Sequence, residues 1–214
     1  MSTTRDKILD TAEHLIADHG FAATSLRQII AEAGVNLAAV HYHFGSKQDL
    51  LEQLIWRKVS RVNAEREALL DQFEREASPE PVPVEKILKA FFEPMIETGC
   101  RNPQFVRLMG RMIAEGLIPA IAEKHFHPTA SRFVKAFRRA LPNLPEGELF
   151  WRMQFMFGAM SQGVGGLSAP FMGIERDTAD FSIIMRRLIQ FLTAAIQAPA
   201  TEEVQANENC SVAG

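Results

Sequence analysis

Cysteine is nearly absent from this chain and tyrosine occurs once. The 214 residues contain two cysteines, Cys100 and Cys210, too few for a disulfide framework or a cysteine-based zinc site. Such sparse use of cysteine is typical of a reducing compartment. The polar amino terminus also lacks the apolar stretch of a secretory signal. We therefore expect a cytoplasmic protein.

Basic charge and long apolar runs are lacking as well. A net charge of −3 excludes a basic nucleic-acid coat protein, and 47% hydrophobic residues exclude wholesale disorder. The segment 153–174 carries no formal charge and has about the length of a membrane span. Its glutamines, serines, glycines and proline insert poorly into a bilayer. We expect no membrane partner and interpret this segment as a buried helix at a packing interface.

Catalytic and metal-binding motifs are also missing. The sequence has no glycine-rich phosphate loop, nucleophile elbow or paired-carboxylate motif, so we expect neither an enzyme nor a cofactor. Two histidine pairs, His41 with His43 and His125 with His127, have alternating spacing, which points the two rings apart on a helix. We therefore expect no metal site.

Helical periodicity runs through almost the whole chain, and it predicts an all-α fold. Thr3 with Asp6 is a plausible capping pair for the first helix, and Gly20 is a plausible stop. Ser46 with Asp49 predicts the start of a long fourth helix. The three prolines between residues 79 and 83 predict its end.

The region 24–44 has the spacing of a helix-turn-helix, two short helices joined by a turn that contains Gly34. On the second of them, Val40 and Phe44 would pack inward. The residues predicted to reach DNA from this helix are Asn36, Leu37, Ala38, Ala39, His41 and Tyr42. Lys47, in the first turn of the fourth helix, is predicted to bind a phosphate together with backbone amides. Residues 1–50 carry a net charge of −2, so spacing alone leaves open a helical bundle that binds no DNA.

The same region resembles the TetR family of bacterial repressors. The motifs that carry the resemblance are Ile8–Glu13, Gly20–Ile29, Ala33–Val35 and Val40–Leu51. One position departs from the pattern, because His41 stands where the family usually has a phosphate-binding tyrosine, and Tyr42 follows it. Either ring is a candidate for that contact. Thr24, Ser25 and Arg27, which lie within the matched run, complete the predicted DNA-binding set.

The resemblance implies an all-helical dimer whose variable carboxy-terminal domain binds a small molecule and thereby releases DNA. We accordingly predict an N-terminal three-helix helix-turn-helix domain and a C-terminal helical domain for ligand binding and dimerisation. The predicted regions are 1–46 for DNA binding, 47–78 for the connecting fourth helix, 79–197 for ligand binding and dimerisation, and 198–214 for a disordered tail.

Methionine and phenylalanine are abundant in the second half of the chain. Flexible thioethers and aromatic rings suit a pocket for an apolar ligand, although any individual methionine fits a deformable core equally well. The predicted pocket residues are Phe91, Met95, Phe105, Met109, Met112, Met156 and Met160. Leu149–Arg152 and the helix that follows resemble the PsrA-like branch of the family, which implies a fatty acid or an acyl thioester as ligand. Arg107 and Arg111 lie opposite the apolar stripe and are not expected to bind it.

Small residues near position 160 and the apolar last helix predict a four-helix interface between two copies of the chain. The predicted interface residues are Gly158, Ala159, Gly163, Gly166, Leu188 and Leu192. An internal packing helix is the alternative. The predicted function is a ligand-responsive repressor that binds a palindromic operator as a homodimer, with the fourth helix expected to be the one element that contacts both sites. A helical ligand carrier or interaction protein without DNA readout is the alternative.

Overall fold

The computed structural model describes residues 3–117, 125–165 and 180–200. Every regular element within these ranges is an α-helix, which confirms the all-α prediction. The helices are α1 Thr4–His19, α2 Leu26–Ala33, α3 Leu37–Phe44, α4 Lys47–Ala77, α5 Val84–Arg101, α6 Pro103–Ala114, α7 His127–Ala140, α8 Glu146–Gly165 and α9 Phe181–Gln197. No helix in the described ranges is long and apolar enough to cross a membrane.

The ends of the short amino-terminal helices follow from their capping residues. Thr3 and Asp6 form the predicted reciprocal capping box at α1, and Ser25 and Gln28 form a second one at α2. Gly34 ends α2 with φ 64°, a left-handed conformation that suits glycine. These caps set the lengths of the two helices and so the position at which α3 begins.

Two apolar cores lie along the molecule. The first is built from α1 to α4 and buries residues such as Ile8, Ile29 and Leu54, and it also takes in Leu108 and Met112 from α6. The second joins the later part of α4 to α5, α7, α8 and α9. Because α6 completes the first core, the amino-terminal helices depend on a helix that lies far later in the sequence.

The connecting helix α4 begins at Lys47 and ends at Ala77, beside the proline-rich segment 78–83. The predicted region boundaries at residues 46 and 78 therefore fall at helix ends. Of the predicted tail, residues 198–200 are exposed, and residues 201–214 lie outside the described residues.

Arg152 of α8 fixes the end of α9. Its buried guanidinium donates hydrogen bonds to the carbonyl oxygens of Ile196, Ala198 and Pro199 at 2.6, 2.8 and 2.9 Å, and it pairs with Glu148 at 2.8 Å. A cation at a helix carboxyl terminus satisfies carbonyl groups that have no partner within the helix. This clamp holds α9 against α8.

Candidate nucleic-acid interface and ligand cavity

Helix α3 has one buried face and one exposed face. Val40 and Phe44 are buried in the first core, as predicted. At the start of the helix, Leu37 is 54% exposed and Ala38 is also exposed, while Ala39 is half-buried. The side-chain oxygen of Asn36 accepts a hydrogen bond from the Ala39 amide at 2.8 Å and caps the helix. The amino-terminal end of α3 therefore presents small apolar side chains to solvent.

His41 and Tyr42 both remain at the surface. Tyr42 is 86% exposed, and its ring packs edge-on against that of His43 at a centroid distance of 5.1 Å. His41 Nδ1 lies 3.1 Å from the carbonyl oxygen of Gly45. Both rings are therefore held in place by local contacts, and which of them contacts a DNA backbone stays open.

Of the three residues predicted at the start of α2, Thr24 does not fit its predicted role. Its side chain is only 2% exposed, and its hydroxyl donates a hydrogen bond to the Gly20 carbonyl oxygen at 2.7 Å. The prediction of a DNA contact is wrong for this side chain, because it is enclosed by the turn between α1 and α2. Ser25 is exposed but serves as the cap of α2, and Arg27 is exposed on α2.

Lys47 points toward the same turn. Its ammonium donates a hydrogen bond to the Phe21 carbonyl oxygen and lies 4.1 Å from the centroid of the Phe21 ring. Partial burial lowers the pKa of Lys47 from its ordinary value, although Glu115 nearby acts in the opposite direction. Lys47 thus already has a partner within the protein, and its contact with a phosphate remains a prediction.

Glu115, directly after α6, holds the turn from the other side. Its two carboxylate oxygens accept hydrogen bonds from the amides of Phe21 and Ala22 at 2.9 and 3.0 Å. Gly20 leaves room for this contact, because a Cβ at that position would lie 2.3 Å from Glu115 Oε1. The turn is therefore held by α4 through Lys47 and by α6 through Glu115. Glu115 could not be singled out from the sequence, because nothing in its spacing links it to residues 20–22.

A cavity of about 430 Å³ lies between α4, α5, α6, α7 and α8. Five of the seven predicted pocket residues line it: Phe91, Met95, Phe105, Met109 and Met160. The other two do not. Met112 is buried in the first core and Met156 in the second. Helical spacing identifies an apolar side chain but not the space that it fills, so a ligand contact by these two methionines stays a prediction.

Among the described residues that line the cavity, Arg66 of α4 carries a full positive charge, and sequence reasoning missed it. Its side chain is almost fully buried, with Nε donating to the Phe91 carbonyl oxygen at 2.7 Å and Nη1 to Asn63 Oδ1 at 3.1 Å. The guanidinium carbon lies 4.0 Å from the centroid of the Phe91 ring. Burial lowers the pKa of Arg66 to about 10, so the group stays charged at neutral pH.

The predicted interface residues are distributed differently from what we expected. Leu192 is buried in the second core, and a Cβ on Gly163 would lie 2.7 Å from Met185 Cε of the same chain. These two residues thus pack against their own chain, and the predicted four-helix interface between two copies stays a prediction. Ala159 and Leu188 are partly buried against the same core, whereas Gly158 is exposed. Gly166 lies outside the described residues.

Exposed aromatic side chains occupy the outer surface of α8 and α9 instead. Trp151 and Phe155 are 56% and 66% exposed and stack at a centroid distance of 6.1 Å, and Phe191 of α9 is 64% exposed. We call these three residues the aromatic face. The spacing of Trp151 and Phe155, four residues apart, could have identified part of it from the sequence.

Comparisons with known proteins agree with this architecture. Residues 8–54 match the family described as bacterial regulatory proteins, tetR family, and residues 88–195 match the tetracyclin repressor-like C-terminal domain. The HTH-type transcriptional regulator YerO of Bacillus subtilis is 26% identical over 195 residues, which are 88% of this chain and 54% of YerO. YttP of the same organism is 42% identical over 53 residues, 25% of this chain and 26% of YttP. The matched regions thus span about half and a quarter of these relatives.

Solved structures share the fold at low sequence identity. The fatty acid degradation regulator FadR from Bacillus halodurans has a TM-score of 0.66 at 16% identity, covering 93% of this chain and 99% of its own. FadR from Bacillus subtilis, solved in complex with stearoyl-CoA, has a TM-score of 0.59 at 14% identity, covering 88% and 97%. The C-terminal family match alone extends over half of the chain. With the amino-terminal match on the helix-turn-helix, it shows that this protein belongs to the TetR family of transcriptional regulators and not to a family of enzymes.

Proposed function

We propose that this protein is a cytoplasmic transcriptional repressor that binds a palindromic operator as a homodimer and leaves it when a small apolar ligand fills the cavity. The observation that carries the proposal is the double contact of α6. One face of α6 lines the cavity with Phe105 and Met109, and another enters the first core with Leu108 and Met112. A ligand that displaces α6 therefore acts directly on the DNA-binding helices.

The exposed end of α3 supports DNA readout. Leu37 and Ala38 can contact thymine methyl groups in a major groove, and Arg27 and Tyr42 are available for the backbone. With a net charge of −2 over residues 1–50, one copy offers few phosphate contacts. Two copies on a palindrome double these contacts and supply the affinity that one copy lacks.

Coupling between the sites runs through two helices, α4 and α6, whereas the sequence predicted α4 alone. Glu115 ties the end of α6 to the turn between α1 and α2, and Lys47 ties the start of α4 to the same turn. A ligand can shift DNA affinity only by its differential affinity for the two conformations, typically about 1–3 kcal/mol. The coupling is reciprocal, so the operator weakens ligand binding by the same factor.

The cavity favours an apolar ligand. Its volume falls within the range of small-molecule sites, and most of its wall is aliphatic or aromatic. Two proteins of similar fold were solved in complex with small molecules, FadR of Bacillus subtilis with stearoyl-CoA, which has a long acyl chain, and LfrR of Mycobacterium smegmatis with proflavine. Together with the PsrA-like resemblance of residues 149–152, these neighbours make fatty acids and acyl thioesters the first candidates.

The aromatic face supports the homodimer. Large exposed apolar groups such as the stacked Trp151 and Phe155 mark a candidate contact surface, and a twofold dimer places the same patch of each copy in contact. Trp151, Phe155 and Phe191 would then be covered by the partner's α8 and α9. Gly158, on the exposed side of α8, would allow close approach.

Selection of a palindromic duplex from a randomised library, followed by ligand titration, tests the proposed function. We expect operator binding that weakens steeply with salt, and fatty acid or acyl thioester affinity that falls when operator is present. Ligand binding without salt-dependent DNA binding would identify a carrier protein. Equal ligand affinity with and without operator would exclude the coupling.

A further inference from the structure

The cavity wall contains a buried cation whose surroundings hold no acidic group among the described lining residues. Arg66 is only 4% exposed, and the residues that surround the cavity with it are apolar, aromatic or uncharged polar, apart from His127. Burial is the cause of its lowered pKa, and no carboxylate in the described part of the chain counters it. A buried charge is costly unless it is paired, so this arrangement favours an anionic ligand.

We propose that the ligand carries a carboxylate that pairs with Arg66 inside the cavity, while its apolar body lies among the phenylalanine and methionine side chains. This inference rests on the proposed function and deepens it. It selects a free fatty acid over an acyl thioester, because the thioester group has no charge to offer at that position.

The guanidinium has donors left for such a ligand. An arginine has five N–H donors, and the hydrogen bonds to Phe91 and Asn63 use two of them. Both of these partners are neutral oxygens, so neither compensates the charge. A carboxylate would form charge-assisted hydrogen bonds, which are shorter and stronger than neutral ones.

The rest of the wall suits an extended apolar body. Val59 and Val62 lie on the same helix as Arg66, and Phe105, Met109 and Phe157 face the same space from α6 and α8. A carboxylate drawn to Arg66 would also act on α4, because Arg66 links α4 to the α5 backbone through the Phe91 carbonyl oxygen. The anionic head and the apolar body would thus contact the two helices that lead to the DNA-binding domain.

Matched probes test the inference. Dodecanoate and dodecanol have the same chain length and differ in the head group, and their affinities for the full-length protein can be measured by calorimetry. We expect dodecanoate to bind about 10- to 100-fold more tightly, the range for hydrogen bonds to a charged group. Arg66→Met should remove this preference and leave dodecanol binding intact, and Arg66→Lys should keep part of it. Arg107→Met, an exposed arginine on α6, is the matched control and should change neither affinity.

Equal affinity of the wild-type protein for the two probes would overturn the inference, and this result requires no variant to fold. If the neutral probe also released the protein from its operator, the proposed function would hold and the requirement for a carboxylate would be rejected. Conversely, dodecanoate that binds through Arg66 but leaves operator affinity unchanged would keep the anionic site and exclude the switch.

Discussion

At the scale of single residues, Leu37 is the most informative position of the DNA-binding surface. It begins α3, and although it is apolar its side chain is half exposed. Its neighbour Ala38 is also exposed. This exposed apolar start of α3 supports the proposed contact with DNA.

Leu37→Glu should abolish specific operator binding, because a carboxylate would face the negative potential of the groove. The fold should persist, since a negative charge in the first turn of a helix is favourable. Leu37→Gln is the matched control, with the same shape and no charge, and should retain more affinity. Fluorescence anisotropy with the selected operator measures both. Unchanged affinity of a folded Leu37→Glu protein would remove α3 from the groove.

Lys47→Ala tests whether that ammonium serves DNA as well as the turn between α1 and α2. We expect weaker binding to all duplexes alike and a salt slope reduced by about 1, because one phosphate contact is lost. The melting temperature should also fall, since the bond to the Phe21 carbonyl oxygen is lost. Lys135→Ala, an exposed lysine on α7, is the control. An unchanged slope with reduced stability would assign Lys47 to the turn alone.

The sequence predicted which side chains are buried in a core better than it predicted the neighbours that each side chain contacts. Val40 and Phe44 could be placed in the core because their spacing requires it, whereas Thr24 and Met112 depend on neighbours that are distant in sequence. The position of Arg66 could have been noticed in the sequence. It stands four residues after Val62 and four before Leu70, so a charged residue interrupts a buried stripe.

Among the helices, α6 shows how one apolar stripe can pack against two different regions, the cavity and the first core. Phe105 and Met109 turn toward the cavity, and Leu108 and Met112 turn toward the first core. These four residues form one broad stripe in the sequence. Periodicity identifies such a stripe but not that it packs between two partners, so the role of α6 required the tertiary structure.

Glu115→Gln should uncouple the two sites while leaving each of them functional. The amide keeps one acceptor for the turn but loses the charge that strengthens both hydrogen bonds. We expect unchanged ligand affinity in the absence of operator, because Glu115 does not line the cavity. The ratio of ligand affinities measured without and with operator should move toward 1. Glu97→Gln, which removes an exposed carboxylate paired within α5, is the control. An unaltered ratio would mean that α4 alone carries the coupling.

At the scale of the whole molecule, assembly should depend on the aromatic face. Phe155→Glu should convert a dimer into a monomer, since two carboxylates would be brought together in an apolar contact. Analytical ultracentrifugation at micromolar concentration measures this, and operator affinity should fall in parallel. Asn143→Glu, which adds the same charge at an exposed turn, should remain dimeric. A persistent wild-type monomer would exclude the proposed interface.

The scarcity of tyrosine and tryptophan provides a built-in set of optical reporters. The chain has one tyrosine and two tryptophans: Tyr42 on the exposed side of α3, Trp56 on α4 beside the His125 ring, and Trp151 on the aromatic face. Each chromophore thus lies in a different part of the proposed switch: the DNA-binding surface, the connecting helix or the subunit interface. In the Trp56→Phe variant only Trp151 remains, and its emission would follow subunit association. In the Trp151→Phe variant only Trp56 remains, and its emission would follow rearrangement of α4. The two single-tryptophan proteins would therefore report subunit association and the rearrangement of α4 separately, without an attached dye.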